Sequence, residues 1–180
     1  MIDSYNVDGT GWARFSDDET KRYRLARSLT GRPLVVNESG VVEAERRVVF
    51  LMLNPSTADA FVLDPTIKRC KAFALAWGAD VLEVVNLYTI RSTDPKKLRE
   101  PGIDLGIDEI ADEEIGLACG DAAIVVAGWG NHGWIEGRGA IVRDRLTSAG
   151  IELHHLGLTK EARPKHPLYL KAATQPEVWT

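Results

Sequence analysis

The sequence predicts an α/β fold: a three-layer sandwich around a four-stranded parallel sheet, preceded by an N-terminal helix and a β-hairpin. Three observations lead there. Four apolar segments, Val48–Leu53, Val81–Leu87, Ala122–Ala127 and Ile151–Leu156, read as strands covered on both faces. Between them lie segments with helix start and stop signals. Helices alternating with apolar strands imply parallel pairing, right-handed crossovers and two covered sheet faces.

Each element has a local cause. Ser16-Asp17-Asp18-Glu19 is a capping-box pattern, in which the serine hydroxyl takes an orphan amide and the glutamate reaches back. It predicts a helix to about Leu29, with Gly31 as its stop. Leu34-Val35-Val36 and Val41-Val42 flank Asn37-Glu38-Ser39-Gly40, a hairpin pattern. Asp64-Pro65 supplies an N-cap and a first-turn proline for a helix that runs to Trp77 and stops at Gly78. Asp94-Pro95 repeats the signal before a short helix, and Ile107–Leu117 reads as another. The last helix spans Arg138–Ala149 and ends at Gly150.

The 180 residues suit one domain, 1–180, able to bury a core without staples. The hydrophobic fraction of 44% and charged fraction of 27% are ordinary for a soluble protein. Cys70 and Cys119 are too few for a disulfide framework and too isolated for a thiolate zinc site, so a reducing, cytoplasmic setting is expected. The first residues lack the order of a signal peptide, and no apolar run is long enough for a membrane span. A net charge of −4 argues against broad electrostatic binding to nucleic acid, though not against a localised basic site.

Charge is unevenly distributed. Eight acidic and no basic residues lie between Glu100 and Asp121, a pattern of a solvated helix face or, more sharply, of carboxylate metal ligands. The segment Arg163-Pro164-Lys165-His166-Pro167 is short, basic and stiffened by two prolines.

In parallel sheets the working residues gather beyond the carboxyl ends of the strands. Here those ends carry Asn54-Pro55-Ser56-Thr57-Ala58-Asp59, Asn86-Leu87-Tyr88-Thr89, Gly128-Trp129-Gly130-Asn131-His132-Gly133 and Gly157-Leu158-Thr159, all rich in amides, hydroxyls and glycine. Asn54 reads either as a turn former or as an amide aimed into a cleft, and Asn86 has the same two readings. A carboxamide holds a donor and an acceptor, so it can read a nucleobase edge in two hydrogen bonds. The glycine-rich segment is neither a P-loop nor a dinucleotide fingerprint. It is either a ligand-approaching backbone or a turn around a core tryptophan. His154 and His155, consecutive in a strand, point to opposite faces, so no metal site is expected. No cofactor is expected either. His166 is either a surface histidine or a donor held near developing negative charge.

Two resemblances are carried by these residues. Leu53-Asn54-Pro55-Ser56-Thr57-Ala58-Asp59, Asp64-Pro65-Thr66-Ile67, Trp77-Gly78, Asn86-Leu87-Tyr88, Trp129-Gly130 and His166-Pro167-Leu168-Tyr169-Leu170 resemble the bacterial and phage family known as domain of unknown function 1643, over roughly Arg22 to Leu170. More distantly, the chain resembles the uracil-DNA glycosylase superfamily. Met52-Leu53-Asn54-Pro55-Ser56 is similar to the G-I-N-P-G motif of its mismatch-specific branch. Asn86 is similar to its base-reading asparagine, Trp129-Gly130 to its third-strand W-G pair, and His166-Pro167 to the start of its H-P-S-P-L-S motif. Two departures stand out: Met52 replaces the glycine that opens the first motif, and Leu168-Tyr169-Leu170 replaces the serine-rich, DNA-wedging end of the last.

The resemblance implies a strand order 2-1-3-4 and an N-glycosidic hydrolase acting on a modified or damaged base. Asn54 would place the attacking water and His166 would donate to the departing base. Asn86 would read the base, with Phe61 or Tyr88 stacking on it. Arg163 and Lys165 would hold flanking phosphates. Ser56, Thr57, Asp59, Trp129, Gly130 and Asn131 would complete the binding surface. DNA or a nucleotide is thus the expected partner, with no membrane involved. The alternatives are an enzyme on free nucleotides or nucleosides, favoured by the net charge and the missing wedge, and a non-catalytic sensor of a modified base or nucleotide.

Overall fold

The computed structural model describes residues 1–56, 61–62, 64–133 and 135–180. Its centre is one mixed sheet of eight strands: β1 (Ile2–Tyr5), β2 (Gly11–Phe15), β3 (Arg22–Ser28), β4 (Arg47–Met52), β5 (Val81–Asn86), β6 (Ile124–Ala127), β7 (Leu153–His155) and β8 (Glu177–Val178). The spatial order is β1-β2-β3-β5-β4-β6-β7-β8. Strands β5, β4, β6 and β7 are mutually parallel and are the four apolar segments in the expected order 2-1-3-4.

The parallel core forms because its side chains suit burial on both faces. Val48, Phe50 and Met52 of β4 pack under α1 (Pro65–Ala76), beside Ile67, Cys70 and Phe73. Val49 and Leu51 face the other way, onto Ile115 and Cys119 of α2 (Glu109–Gly120) and Val142 and Leu146 of α3 (Arg138–Ser148). Each such fully buried aliphatic or aromatic side chain is worth about 1.5–3 kcal/mol of transfer free energy. Burial holds both thiols in the neutral form, pushing Cys119 up to about 12 and Cys70 higher still.

The N-terminal region departs from expectation. Residues 22–28 form β3, a strand antiparallel to β5, instead of the helix expected over 16–29. The capping-box residues satisfy a hairpin turn instead: Ser16 Oγ accepts from the Lys21 amide at 3.0 Å, and Asp18 Oδ1 accepts from the Ser16 and Thr20 hydroxyls at 2.6 and 2.9 Å. Those groups satisfy amides equally well in a turn and at a helix start, and pairing with β2 and β5 decides between them. Strands β1 and β2 add a meander ahead of β3, where no element was expected. The expected hairpin over residues 34–42 shrinks to one bridge, Val36 with Val42, around the Asn37–Gly40 turn. The Asp94-Pro95 helix is a single 3-10 turn, Lys97–Arg99.

The acidic segment is only partly a solvated face. Glu114 is 3% exposed and meets Arg14 at 2.9 Å and Arg24 at 3.3 Å. Arg24 in turn bonds Glu83 at 2.5 Å, and Arg47 lies 3.4 Å from the same carboxylate. The acidic helix therefore neutralises arginines of the N-terminal strands. Among the described residues no cluster of three or more potential metal ligands forms, and no helix is long and apolar enough to cross a membrane.

Candidate functional site

Chain direction places the site. From β4 the chain crosses over through α1 to β5 on one side, and from β5 through α2 to β6 on the other side of β4. The carboxyl end of β4 is therefore the switch point at which a crevice must open. A cavity of about 860 Å³ lies there, within the range of sites that enclose drug-sized ligands and roomier than a bare base requires.

Asn54 leaves β4 into this cavity. Its Nδ2 donates to the Ser92 and Pro55 carbonyls at 2.8 and 3.1 Å, which fixes the amide plane and leaves Oδ1 as its acceptor toward the cavity. Asn86, at the end of β5, is 2% exposed, and its Nδ2 lacks a hydrogen-bond partner. A buried amide donor in that state favours a ligand acceptor.

His166 enters from the basic segment. The Leu168 amide donates to its Nδ1 at 3.3 Å. Burial lowers its pKa below the usual imidazole value, with Asp64 opposing. The ring is therefore neutral at pH 7, with its proton on Nε2, a donor without net charge. Pro167 is buried against Gly128, where an added Cβ would lie 3.0 Å from the proline Cδ. Glycine at 128 thus lets β6 and the His166 segment meet. Gly130 donates its amide to the Pro164 carbonyl at 2.9 Å and holds a φ of +69°, a conformation natural to glycine.

Of the expected site residues, Asn54, Ser56, Asn86, Trp129, Gly130, Asn131, Lys165 and His166 line this one cavity. Trp129 is 4% exposed, and its ring packs on Trp179 at a centroid distance of 5.5 Å. Three other expected residues are not brought into the lining. Tyr88 is fully buried, with its hydroxyl donating to the Ile135 carbonyl at 2.9 Å, so it does not face a ligand. Phe61 packs beside Arg27 and the α1-side core, outside the cavity lining. Arg163 donates to the Asn131 carbonyl at 2.9 Å and braces the glycine-rich turn from outside the lining. Thr57 and Asp59 lie outside the described residues.

Two charged residues of the lining, Arg22 and Asp64, were not among those expected at the site. Arg22 sits on β3 beside the carboxyl end of β5 and was hidden by the helix expected there. Asp64 was legible as a helix cap, and its Oδ1 does accept from the Ile67 amide at 2.8 Å. Its Oδ2 accepts from Ser56 Oγ at 3.2 Å, inside the site.

No curated protein and no solved structure matches the chain. Residues 22–168, which hold every described lining residue up to Leu168, match the model of the family described as protein of unknown function (DUF1643), and the chain belongs to that family.

Proposed function

We propose that the chain is a nucleobase-recognising N-glycosidic hydrolase, related in fold and chemistry to the uracil-DNA glycosylases. The observation that carries this reading is that a fixed carboxamide acceptor, a buried unpartnered amide donor and a neutral imidazole donor line one cavity at the switch point. In a dissociative reaction the bond from sugar to base breaks first. Its electron pair leaves with the base and cationic charge builds on the sugar. His166 Nε2–H donates to the base oxygen that gathers the negative charge. Asn54 Oδ1 accepts from a water and holds it against the sugar carbon; as the C–O bond forms, the proton that the water loses neutralises the departed base anion, so that alcohol and neutral base are the products. An amide is a weak base, but placement matters more than deprotonation once the carbon is cationic. Asn86 Nδ2 donates to the edge of the base in ground and transition states alike.

Enzymatic action on free nucleotides is the second reading. The roomy cavity, the net charge of −4 and the missing serine-rich wedge favour it.

The test is a mass-spectrometric scan for released bases from DNA bearing varied lesions and modifications, and in parallel from nucleotides and nucleosides. Asn54→Ala and His166→Ala should each slow release by on the order of 10²–10³ with little loss of binding. Asn86→Ala should relax which base is accepted. Full activity in the Asn54→Ala/His166→Ala double variant, or no release from any substrate, refutes the hydrolase reading.

A further inference from the structure

Five arginines of the sheet and of α3 are nearly inaccessible: Arg22, Arg24, Arg27, Arg47 and Arg138. Arg24 and Arg47 meet Glu83, and Arg138 meets Asp112 at 2.5 Å. Arg27 donates to the Ala26 carbonyl and has further partners. Arg22 is the exception. It is 4% exposed, its Nε lacks a partner, and its guanidinium makes no hydrogen bond or ion pair among the described residues. Yet it lines the cavity. Burial lowers its pKa to about 10, so it stays charged at neutral pH. Arg91 and Arg27 act on it with the same sign, and only Asp64 opposes them. Both Asp64 oxygens are already engaged, by the Ile67 amide and the Ser56 hydroxyl.

A buried guanidinium with no hydrogen-bonded partner, and with only the more distant Asp64 against two like charges, is strongly disfavoured unless something supplies that partner. Here the open side of Arg22 is the cavity, so the missing partner belongs to a ligand. One more feature of the rim fits an anion. Lys165 lines it, and its ammonium forms no ion pair among the described residues. Two cations suit a phosphate better than a neutral base edge, and the planar fork of arginine matches phosphate oxygens in pairs. The volume of about 860 Å³ leaves room for sugar and phosphate beside a base held at Asn86.

We infer that Arg22 is the seat of a phosphate group, so that the ligand of this site is a phosphate-bearing nucleotide unit and not a bare base or nucleoside. The nucleotide part of the inference rests on the base-reading role proposed for Asn86; the phosphate part stands on Arg22 alone. The phosphate has two possible sources, the terminal group of a free nucleotide or a phosphodiester of a strand.

Calorimetric titration and thermal melting of the whole protein test this. The probes are inorganic phosphate, nucleosides, their 5′-monophosphates, and short single-stranded DNA without terminal phosphates. Inorganic phosphate should raise Tm, and monophosphates should bind about 10- to 100-fold more tightly than nucleosides. Arg22→Met should abolish both effects, and Arg22→Lys should keep part of them. Arg22→Met should also melt higher than the parent without ligand, because it removes an unpaired buried charge. A loss confined to the monophosphates assigns a terminal phosphate, and a loss that extends to the unphosphorylated strand assigns a phosphodiester. Phosphate effects that are absent, or that persist unchanged in Arg22→Met, overturn the inference. If bases are nevertheless released, the hydrolase reading survives that failure. Arg22-dependent phosphate binding without release of any base sinks the hydrolase reading and leaves this inference standing.

Discussion

Replacing Glu83 by glutamine should cost the protein about 3 kcal/mol of stability. Glu83 is fully buried in β5 between two arginines, with Arg24 Nε 2.5 Å from one oxygen and Arg47 Nε 3.4 Å from the other. Glutamine keeps the shape and removes the charge. Breaking a buried ion pair by neutralising one partner typically costs about 3–5 kcal/mol. The lower end applies here because neither arginine is stranded. Arg24 keeps Glu114 at 3.3 Å and the Gly40 carbonyl at 2.5 Å, and Arg47 keeps the Val42 and Ala118 carbonyls. For a domain of this size, about 3 kcal/mol corresponds to a fall in Tm of roughly 6–12 °C. Urea unfolding followed by circular dichroism measures it, with an unchanged m-value as the sign that both end states are comparable. Asp3→Asn is the control. It breaks the peripheral Arg14–Asp3 pair, whose Asp3 side chain is 35% exposed, and should change stability by no more than about 1 kcal/mol. A loss below about 1 kcal/mol for Glu83→Gln would show that the buried pair contributes no more than its control, and the reasoning would fail.

Two further predictions concern the site. His166 is neutral in the folded chain down to a pH below 6.5, because burial disfavours the imidazolium. A pH–rate profile for base release should therefore be flat through neutrality and fall only in acid. The unfolded chain takes up that proton first, near pH 6.5. This contribution to stability is thus present above about pH 6.5 and lost as the pH falls from there toward the lower folded-state value, which urea midpoints near pH 7.5 and pH 5 compare. Gly128→Ala places a methyl group 3.0 Å from Pro167 Cδ and 3.1 Å from Met52 Sδ. Moving the His166 segment by a few tenths of an ångström should lower turnover about tenfold with the fold retained, since small misplacements near the reacting atoms are costly. Melting curves and turnover of the variant separate the two effects.

The core strands were legible because continuous apolar runs such as Val48-Val49-Phe50-Leu51 have few other uses. Helix α1 was legible because Asp64-Pro65 combines two independent start signals, and Asp64 does cap it. The N-terminal meander was not. Ser16, Asp18 and Thr20 offer the same local hydrogen bonds in a hairpin turn as at a helix start, and the choice depends on β5, far along the chain. The strand-end residues Asn54 and Asn86 could be found because parallel sheets send such ends to one side, and His166 because it stands in a short basic segment stiffened by two prolines. Arg22 could not, since its place depends on which strand flanks β5. Tyr88 was misread for a related reason: its hydroxyl is satisfied by the Ile135 carbonyl, on a segment that sequence reading did not bring near it.

Asp64 ends one helix and colours one pocket, and the two tasks need different things from it. Capping needs only an acceptor, and asparagine caps about as well as aspartate. The negative charge is surplus to the helix, but Arg22 and His166 both feel it. The residue therefore works as a bias setting on the local field. It tempers the positive potential around Arg22 and keeps His166 from becoming still less basic. An engineer could exploit that separation. An amide at position 64 would leave the architecture standing while shifting the potential of the whole chamber, a tuning knob that no lining cation offers, because moving any of those alters shape and charge together.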